Sequence, residues 1–237
     1  MANIADNLTR LHVRIGHACS AAQRPPQSVQ LLAVSKKFGA DAVRVALHAG
    51  EHRFGENYVQ EGVDKITELA DVRAQIEWHL IGPLQSNKTR VVAEQFDWVH
   101  SVDRLKVAQR LSEQRPAHLA PLQICLQVNI SAEPSKSGLG VAEVAAVAHA
   151  VAALPRLTLR GLMAIPAPAP DFASQRVAPR ALQALLVELR NTGLALDTLS
   201  IGMSADLEAA IAEGATMVRV GSAIFGMRPA LSTTTSG

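Results

Sequence analysis

Leu31-Leu32-Ala33-Val34-Ser35-Lys36-Lys37 is a run of four aliphatic residues that stops on a serine and two lysines. An unbroken apolar run of this length suits a short strand buried on both faces, the condition of a parallel sheet. Upstream, Ile4, Leu8, Leu11, Ile15, Ala18 and Ala22 recur at helical spacing, so an amphipathic helix precedes the strand and Pro25-Pro26 ends it. Downstream the pattern alternates. Strand-length apolar runs fall at 53–54, 78–81, 98–100, 123–128, 157–163, 198–201 and 217–220. Helical patterns fill 40–49, 56–69, 86–94, 103–114, 141–154, 177–191 and 205–212. Single helices between strands mean βαβ units and a parallel sheet.

With the run from Leu31 there are eight strands in 237 residues, the count of a (β/α)8 barrel. The fold class expected is therefore α/β: one TIM-type barrel over 1–230 with an extra N-terminal helix, and a disordered tail over 231–237. A doubly wound open sheet is the competitor, and it requires one of the eight strands to be misassigned. Two segments support the barrel by resembling each other. Residues 42–50 and 206–214 each read as a helix closed by glycine, leading to a short strand and another glycine. The Pro/Ala run Ile165-Pro166-Ala167-Pro168-Ala169-Pro170 fits an extended loop after the sixth strand.

Hydrophobic residues make up 48% of the chain and charged residues 19%, enough apolar material for a large core. Aromatics are only 3%, so the core, barrel interior included, should be aliphatic. A net charge of +2 with dispersed basic residues gives no footprint for nucleic acid. Cys19 and Cys125 have no spacing that suggests a disulfide framework or a thiolate metal site. The first residues lack a basic stretch followed by an apolar one, and the most apolar helix, 141–154, carries Glu143 and His149 and is too short to span a bilayer. A soluble cytoplasmic protein without membrane contact is expected.

In such a barrel the site lies where strands end and βα loops begin. That rule selects Ser35 and Lys36, then Gly55, Glu56 and Asn57, then His79 and Gly82. It also selects Gly202-Met203-Ser204 and Arg219 with Gly221-Ser222. The loops after the seventh and eighth strands are the usual phosphate cradle, where glycine admits an anion close to backbone N–H groups. Ser204 and Ser222 could equally be simple helix caps. A lysine facing that cradle can hold phosphate as a point charge, or form a Schiff base if burial lowers its pKa. Strand alternation sends only one of Lys36 and Lys37 inward, and spacing does not say which. The histidines form no metal-ligand pattern: His48 and His52 are four apart, but Gly50 should end the helix between them. His79 either lines the barrel mouth or is a hydrogen-bonded structural residue. Trp78 and Trp98 read as packing.

Several long motifs resemble one family. They include Leu31 to Lys36, Phe54-Gly55-Glu56-Asn57-Tyr58-Val59-Gln60-Glu61, and Trp78-His79-Leu80-Ile81-Gly82-Pro83-Leu84-Gln85-Ser86-Asn87-Lys88. Shorter matches are Val128-Asn129-Ile130, Lys136-Ser137-Gly138, Gly161-Leu162-Met163, Leu199 to Ser204, and Arg219 to Gly226. Together they are similar to the pyridoxal-phosphate homeostasis proteins, single-domain relatives of the alanine racemase N-terminal barrel. The resemblance implies pyridoxal 5′-phosphate as cofactor, held as an internal aldimine on Lys36, with Lys37 at a variable position. It places the phosphate on Ser204, Gly221 and Ser222, and Arg219 near the pyridine nitrogen, where a cation makes the ring a weaker electron sink. The expected cofactor-binding set is Lys36, Asn57, His79, Gly202, Met203, Ser204, Arg219, Gly221 and Ser222, with no metal ligand and no catalytic residue. Lys136 resembles a second family lysine outside the barrel's first loop, and a role in transferring or regulating cofactor is hypothesised for it. The Pro- and Ala-rich stretch 168–179 departs from the family's polar helix start.

Three functions compete. A cofactor-handling protein would buffer the aldehyde and deliver it to dependent apo-enzymes, as a monomer. An amino-acid racemase needs an acid/base group on each face of the substrate α-carbon. In the racemases that second base is a tyrosine from a further β domain, which is absent after Met227, and the only tyrosine here is Tyr58. An aldolase acting on a phosphorylated substrate would use the same loops without a resident cofactor. The resemblance favours the first.

Overall fold

Asn3 starts the first helix, its side chain accepting from the Asp6 amide, and α1 (Ile4–Ala21) buries Leu8, Leu11, Ile15, Ala18 and Cys19 on one face. The helix stops ahead of Pro25-Pro26: Gln23 takes φ 54°, and Pro26 opens a single 3-10 turn instead. The computed structural model describes residues 3–131, 133 and 137–226. The 231–237 tail and Lys136 lie outside them.

From there strands and helices alternate as β1 (Gln30–Val34), α2 (Ala40–His48), β2 (Arg53–Glu56), α3 (Val59–Glu68), β3 (Glu77–Leu80), α4 (Thr89–Gln95), β4 (Trp98–Val102) and α5 (Leu105–Gln114). They continue as β5 (Leu122–Gln127), α6 (Val141–Ala152), β6 (Leu157–Met163), α7 (Phe172–Gln175), α8 (Val177–Asn191), β7 (Thr198–Ser200), α9 (Leu207–Ala212), β8 (Met217–Val220) and α10 (Ser222–Phe225). Each strand pairs in parallel with the next, and β8 returns to β1 with Leu31 opposite Val218 and Ala33 opposite Val220. The sheet is a closed eight-stranded barrel, which removes the open-sheet alternative. Most element ends shift by one to three residues from the sequence reading, and two departures bear on the site. The third helix starts at Val59 rather than 56 because Gly55 and Glu56 extend β2. The Pro/Ala loop ends in the short α7, which Asp171 starts by accepting from the Ser174 amide.

Alternation along the strands divides the core in two. Leu31, Ala33, Trp78, Leu80, Val99, Ile124, Leu126, Leu199, Ile201, Val218 and Val220 join one large apolar cluster with the inner faces of the helices. The opposite faces point into the barrel, and there the expectation of an aliphatic interior fails. Leu32, Val34, Ile81 and Met217 form one small apolar group, and Trp98, Cys125 and Met163 another. Alongside them are buried His79, His100, Ser200 and Arg219. The low aromatic content describes the shell between sheet and helices. It does not describe the barrel's middle, where His79, His100, Ser200 and Arg219 hydrogen-bond in a line.

Gly161 shows how tightly the sheet is drawn. A Cβ there would lie 1.8 Å from the Thr198 carbonyl oxygen on β7, backbone that cannot rotate away. Gly161→Ala should therefore cost about 1–3 kcal/mol or more, read as a lower urea midpoint with an unchanged slope. A variant of native midpoint would show that β6 and β7 are less closely apposed.

Candidate functional site

β1 ends on Val34, and the next three residues turn in different directions. Ser35 is fully buried, its N–H bonded to the Gly55 carbonyl at 3.1 Å and its hydroxyl donating to Glu56 at 2.5 Å. Lys36 is half-buried and lines the cavity at the C-terminal mouth, whereas Lys37 is exposed, with φ 67° and its N–H donating to the Glu61 carboxylate. That left-handed turn settles which lysine faces inward.

Beneath the turn is a residue the sequence reading missed. Lys65 Nζ donates to the Ser35 carbonyl at 2.7 Å and to Glu56 and Glu61 at 2.8 Å each, with its side chain only 6% exposed. In sequence Glu61 and Lys65 look like a solvated i, i+4 pair on α3. In the fold they clamp the backbone that carries Lys36.

The cavity at this mouth has a volume of about 690 Å³. Of the expected set, Lys36, Asn57, Met203, Ser204, Arg219, Gly221 and Ser222 line it; Gly202 and His79 do not. Gly202 turns the chain beneath it at φ 101°, where a Cβ would meet that of Ala210 at 2.7 Å. Gly221 lies so close to β1 that a Cβ would be 3.0 Å from the Val34 carbonyl. Neither serine caps a helix with its side chain: α9 follows Asp206, α10 follows Gly221, and no side-chain cap bond is made at either. The simple-cap reading thus falls away. Asn57 Oδ1 is buried without a hydrogen-bond partner, a polar atom left for a ligand to satisfy. The extra helix α1 braces these loops from outside. Asn7 Nδ2 donates to the Ile224 carbonyl at 2.8 Å, and Arg14 bonds both Glu208 and the Ser204 carbonyl.

Arg219 reaches the cavity from below. Its Nη1 donates to the Ser200 carbonyl and hydroxyl at 2.7 and 2.9 Å, and its Nη2 to the Ala164 carbonyl at 2.9 Å. Burial lowers its pKa to about 10, still well above neutrality. His79 is fully buried, stacked on Trp98 at 5.2 Å, and bonded to His100 and Glu77 at 2.9 Å each. Burial pushes both imidazoles below their ordinary value, His100 well below it, where the neighbouring His79 and Arg219 add to the effect. Burial also raises the Cys125 thiol to about 12, which makes it inert. Among the described residues, no group of His, Cys, Asp and Glu could hold a metal ion, and no helix is long and apolar enough to cross a membrane.

A closed parallel barrel with Lys36 and Arg219 at its C-terminal mouth and glycine-serine loops after its last two strands has the architecture in which barrels commonly seat phosphate groups. The chain belongs to the alanine racemase N-terminal domain family, which matches residues 7–229. Among its relatives, the pyridoxal phosphate homeostasis protein of Pseudomonas aeruginosa is 58% identical over 96% of this chain and 97% of its own. The protein of the same name from Escherichia coli K12 is 53% identical over 96% and 98%. PipY of Synechococcus elongatus, solved with PLP bound, superposes with a TM-score of 0.82 at 40% identity, covering 94% of this chain and all of that one. Alanine racemase from Corynebacterium glutamicum shares the fold, with a TM-score of 0.67 at 20% identity over 97% of this chain and 62% of that one.

Two outcomes follow from the buried polar groups. Lys65→Met leaves Glu56 charged and unpaired, and should cost about 3–5 kcal/mol, part of it regained in the double variant with Glu56→Gln. No recovery in that double variant would place the loss elsewhere. His79 and His100 are held neutral when folded but titrate near pH 6.5 when unfolded. Below that pH the unfolded chain binds more protons, so stability present above it is lost as pH falls, by at most about 1.4 kcal/mol per histidine per pH unit. Urea midpoints at pH 7.5, 6.5 and 5.5 should fall more steeply for the native chain than for His100→Gln. Equal slopes would clear the pair.

Proposed function

We propose that the chain binds pyridoxal 5′-phosphate at the C-terminal mouth of the barrel and holds it for intracellular cofactor homeostasis, buffering the free aldehyde and delivering it. The observation that carries this reading is the meeting of Lys36 and Arg219 in one cavity with Ser204, Gly221 and Ser222. The residues present fit the group. About 690 Å³ is ample for a substituted pyridine with one phosphate. Gly221 lies at the cavity with no side chain of its own to fill it, the hydroxyls of Ser204 and Ser222 can donate, and Asn57 Oδ1 awaits a donor.

When bound, the cofactor supplies an aldehyde that condenses with a primary amine and releases water. In this reading Lys36 provides that amine, and Arg219 takes the place beside the ring nitrogen. Because Arg219 stays a cation, protonation of that nitrogen is disfavoured, and the site holds the ring without making it a strong electron sink. Gly202 shapes the phosphate loop without touching the cavity, Met203 covers it, and His79 acts at a distance through Arg219.

The same lining disfavours turnover. Lys36 and Arg219 are the titratable side chains among the lining residues, and Arg219 keeps its proton. Racemisation needs a base on each face of the α-carbon, and Tyr58, 54% exposed, is not part of the cavity. A Schiff-base aldolase is the weaker reading, since PipY was solved with PLP bound. Completing the proposal, the protein works in the cytoplasm as a monomer and hands cofactor to dependent apo-enzymes.

The test is the visible absorbance of the purified protein before and after borohydride, with mass spectrometry of the lysine peptides. A yellow protein whose reduced adduct sits on Lys36, lost in Lys36→Ala and kept in Lys37→Ala, is the expected result. A protein that gains no adduct with added pyridoxal phosphate, or gains it on Lys37, would overturn the assignment.

A further inference from the structure

Glu77, at the start of β3, and Arg219, near the end of β8, belong to opposite mouths of the barrel, yet an unbroken line of hydrogen bonds joins them. Glu77 Oε1 lies 2.9 Å from His79 Nε2, His79 Nδ1 lies 2.9 Å from His100 Nε2, and His100 Nδ1 lies 2.9 Å from Ser200 Oγ. Arg219 Nη1 closes the line at 2.9 Å from the same hydroxyl. His79, His100 and Ser200 are completely buried.

The chemistry of the two ends fixes every proton between them. A carboxylate can only accept and a guanidinium can only donate, while each neutral imidazole does one of each. Glu77 therefore requires the His79 proton on Nε2, which leaves Nδ1 as acceptor. His100 must then carry its proton on Nε2 and accept at Nδ1. Ser200 has to donate to His100, and its oxygen accepts from Arg219. No other assignment makes all four bonds with both rings neutral. Stability alone gives no reason for such a line, since apolar residues of similar volume pack a core at least as well as a polar network.

We propose that Glu77, His79, His100 and Ser200 form a one-directional hydrogen-bond chain that orients the Arg219 guanidinium in the cofactor cavity and ties it to the protonation state of the opposite mouth. For the cofactor's ring the proposal rests on the function argued above, while the chain itself belongs to the protein alone. These are positioning residues: none of the four lines the cofactor cavity. Solvent reaches the chain at its far end, where the 41% exposed Glu77 side chain lines a separate cavity of about 580 Å³ with Arg53 and Arg160. A proton arriving there and settling on His79 Nδ1 would face the N–H of His100. Relief comes only if His100 shifts its proton to Nδ1 and donates to Ser200, competing there with Arg219. Arg219 would keep its bonds to the Ser200 and Ala164 carbonyls but share the hydroxyl.

The groups that set this balance surround the chain. His79 is faced by Glu77 on its own strand, Arg53 from β2, and Asp97 and His100 on the β4 side. Burial would raise the Glu77 carboxyl, but the bond from His79, with the charge of Arg53, holds it below its ordinary value. His100 is faced by His79 and Arg219, and Arg219 in turn by Asp206 and Cys125.

Nitrogen-15 NMR of histidine-labelled protein, without cofactor and loaded with pyridoxal phosphate, reads the tautomers directly. At pH 7.5 both His79 and His100 should be neutral with the proton on Nε2. In Glu77→Gln, whose amide can donate as well as accept, His79 should populate the second tautomer, and the pH titration of the bound cofactor's visible band should move by about half a unit or more. Ser200→Ala should release cofactor about fivefold faster, the loss of one hydrogen bond. A purely structural role would lower the variants' unfolding midpoints while leaving tautomers and titration unchanged, and that result overturns the proposal. So does an Nδ1 proton or a charged ring on either histidine of the native protein at pH 7.5. Both Nε2 tautomers in a protein that takes up no pyridoxal phosphate would support the chain and sink the cofactor assignment instead.

Discussion

Leu31 paired with Val218 and Ala33 with Val220 close the sheet on itself, and nearly every functional feature depends on that closure. Strands that all run one way deliver the residues following them to a single rim. Lys36 after β1, Asn57 after β2, Ser204 after β7 and Ser222 after β8 are far apart along the chain, yet they meet around one cavity. An open sheet of the same strands would separate β1 from β8, and the lysine from Arg219. The cost of closure is visible at Gly161, where the approach of β7 leaves no room for a side chain.

The interior of the barrel is polar along one line, and polarity there is sustainable only because each group meets a partner. An unsatisfied buried donor or acceptor costs about 1–3 kcal/mol, so losing one member exposes the next. A second network joins Ser35, Glu56, Glu61 and Lys65 beneath the lysine-bearing turn, although Glu56 Oε2 there has no partner. Both networks hold a cation-bearing side chain or its backbone in place: Arg219 through one, the segment of Lys36 through the other. The site therefore rests on a hydrogen-bonded floor, and its last two loops are braced on the outer side by α1.

Much of this was legible in the chain. Apolar runs between helical patterns marked all eight strands, and the barrel rule then selected the rim positions that the cavity brings together, since strand ends follow from local periodicity. The choice between Lys36 and Lys37 was not open to periodicity, because it turns on a left-handed residue at Lys37. His79 was placed at the mouth or in the core, and the fold seats it below the cavity, linked to it by His100 and Ser200. Lys65 gave no usable signal, as a buried ion pair and a surface one look alike when spelled on a helix. Composition misled about the barrel interior, because a few inward-facing residues weigh little in a whole-chain average.

The sequence by itself determined the order and nature of the elements, the glycine and serine loops and the lysine after the first strand, because these depend on neighbours within a few residues. Only the tertiary structure decided which side chains share a cavity, which histidine meets which, and where each buried proton must sit. Those facts depend on partners far apart in the chain, 100 residues for His100 and Ser200 and more for Lys36 and Ser222. Their distance and direction are set by barrel closure, which no local stretch of sequence encodes.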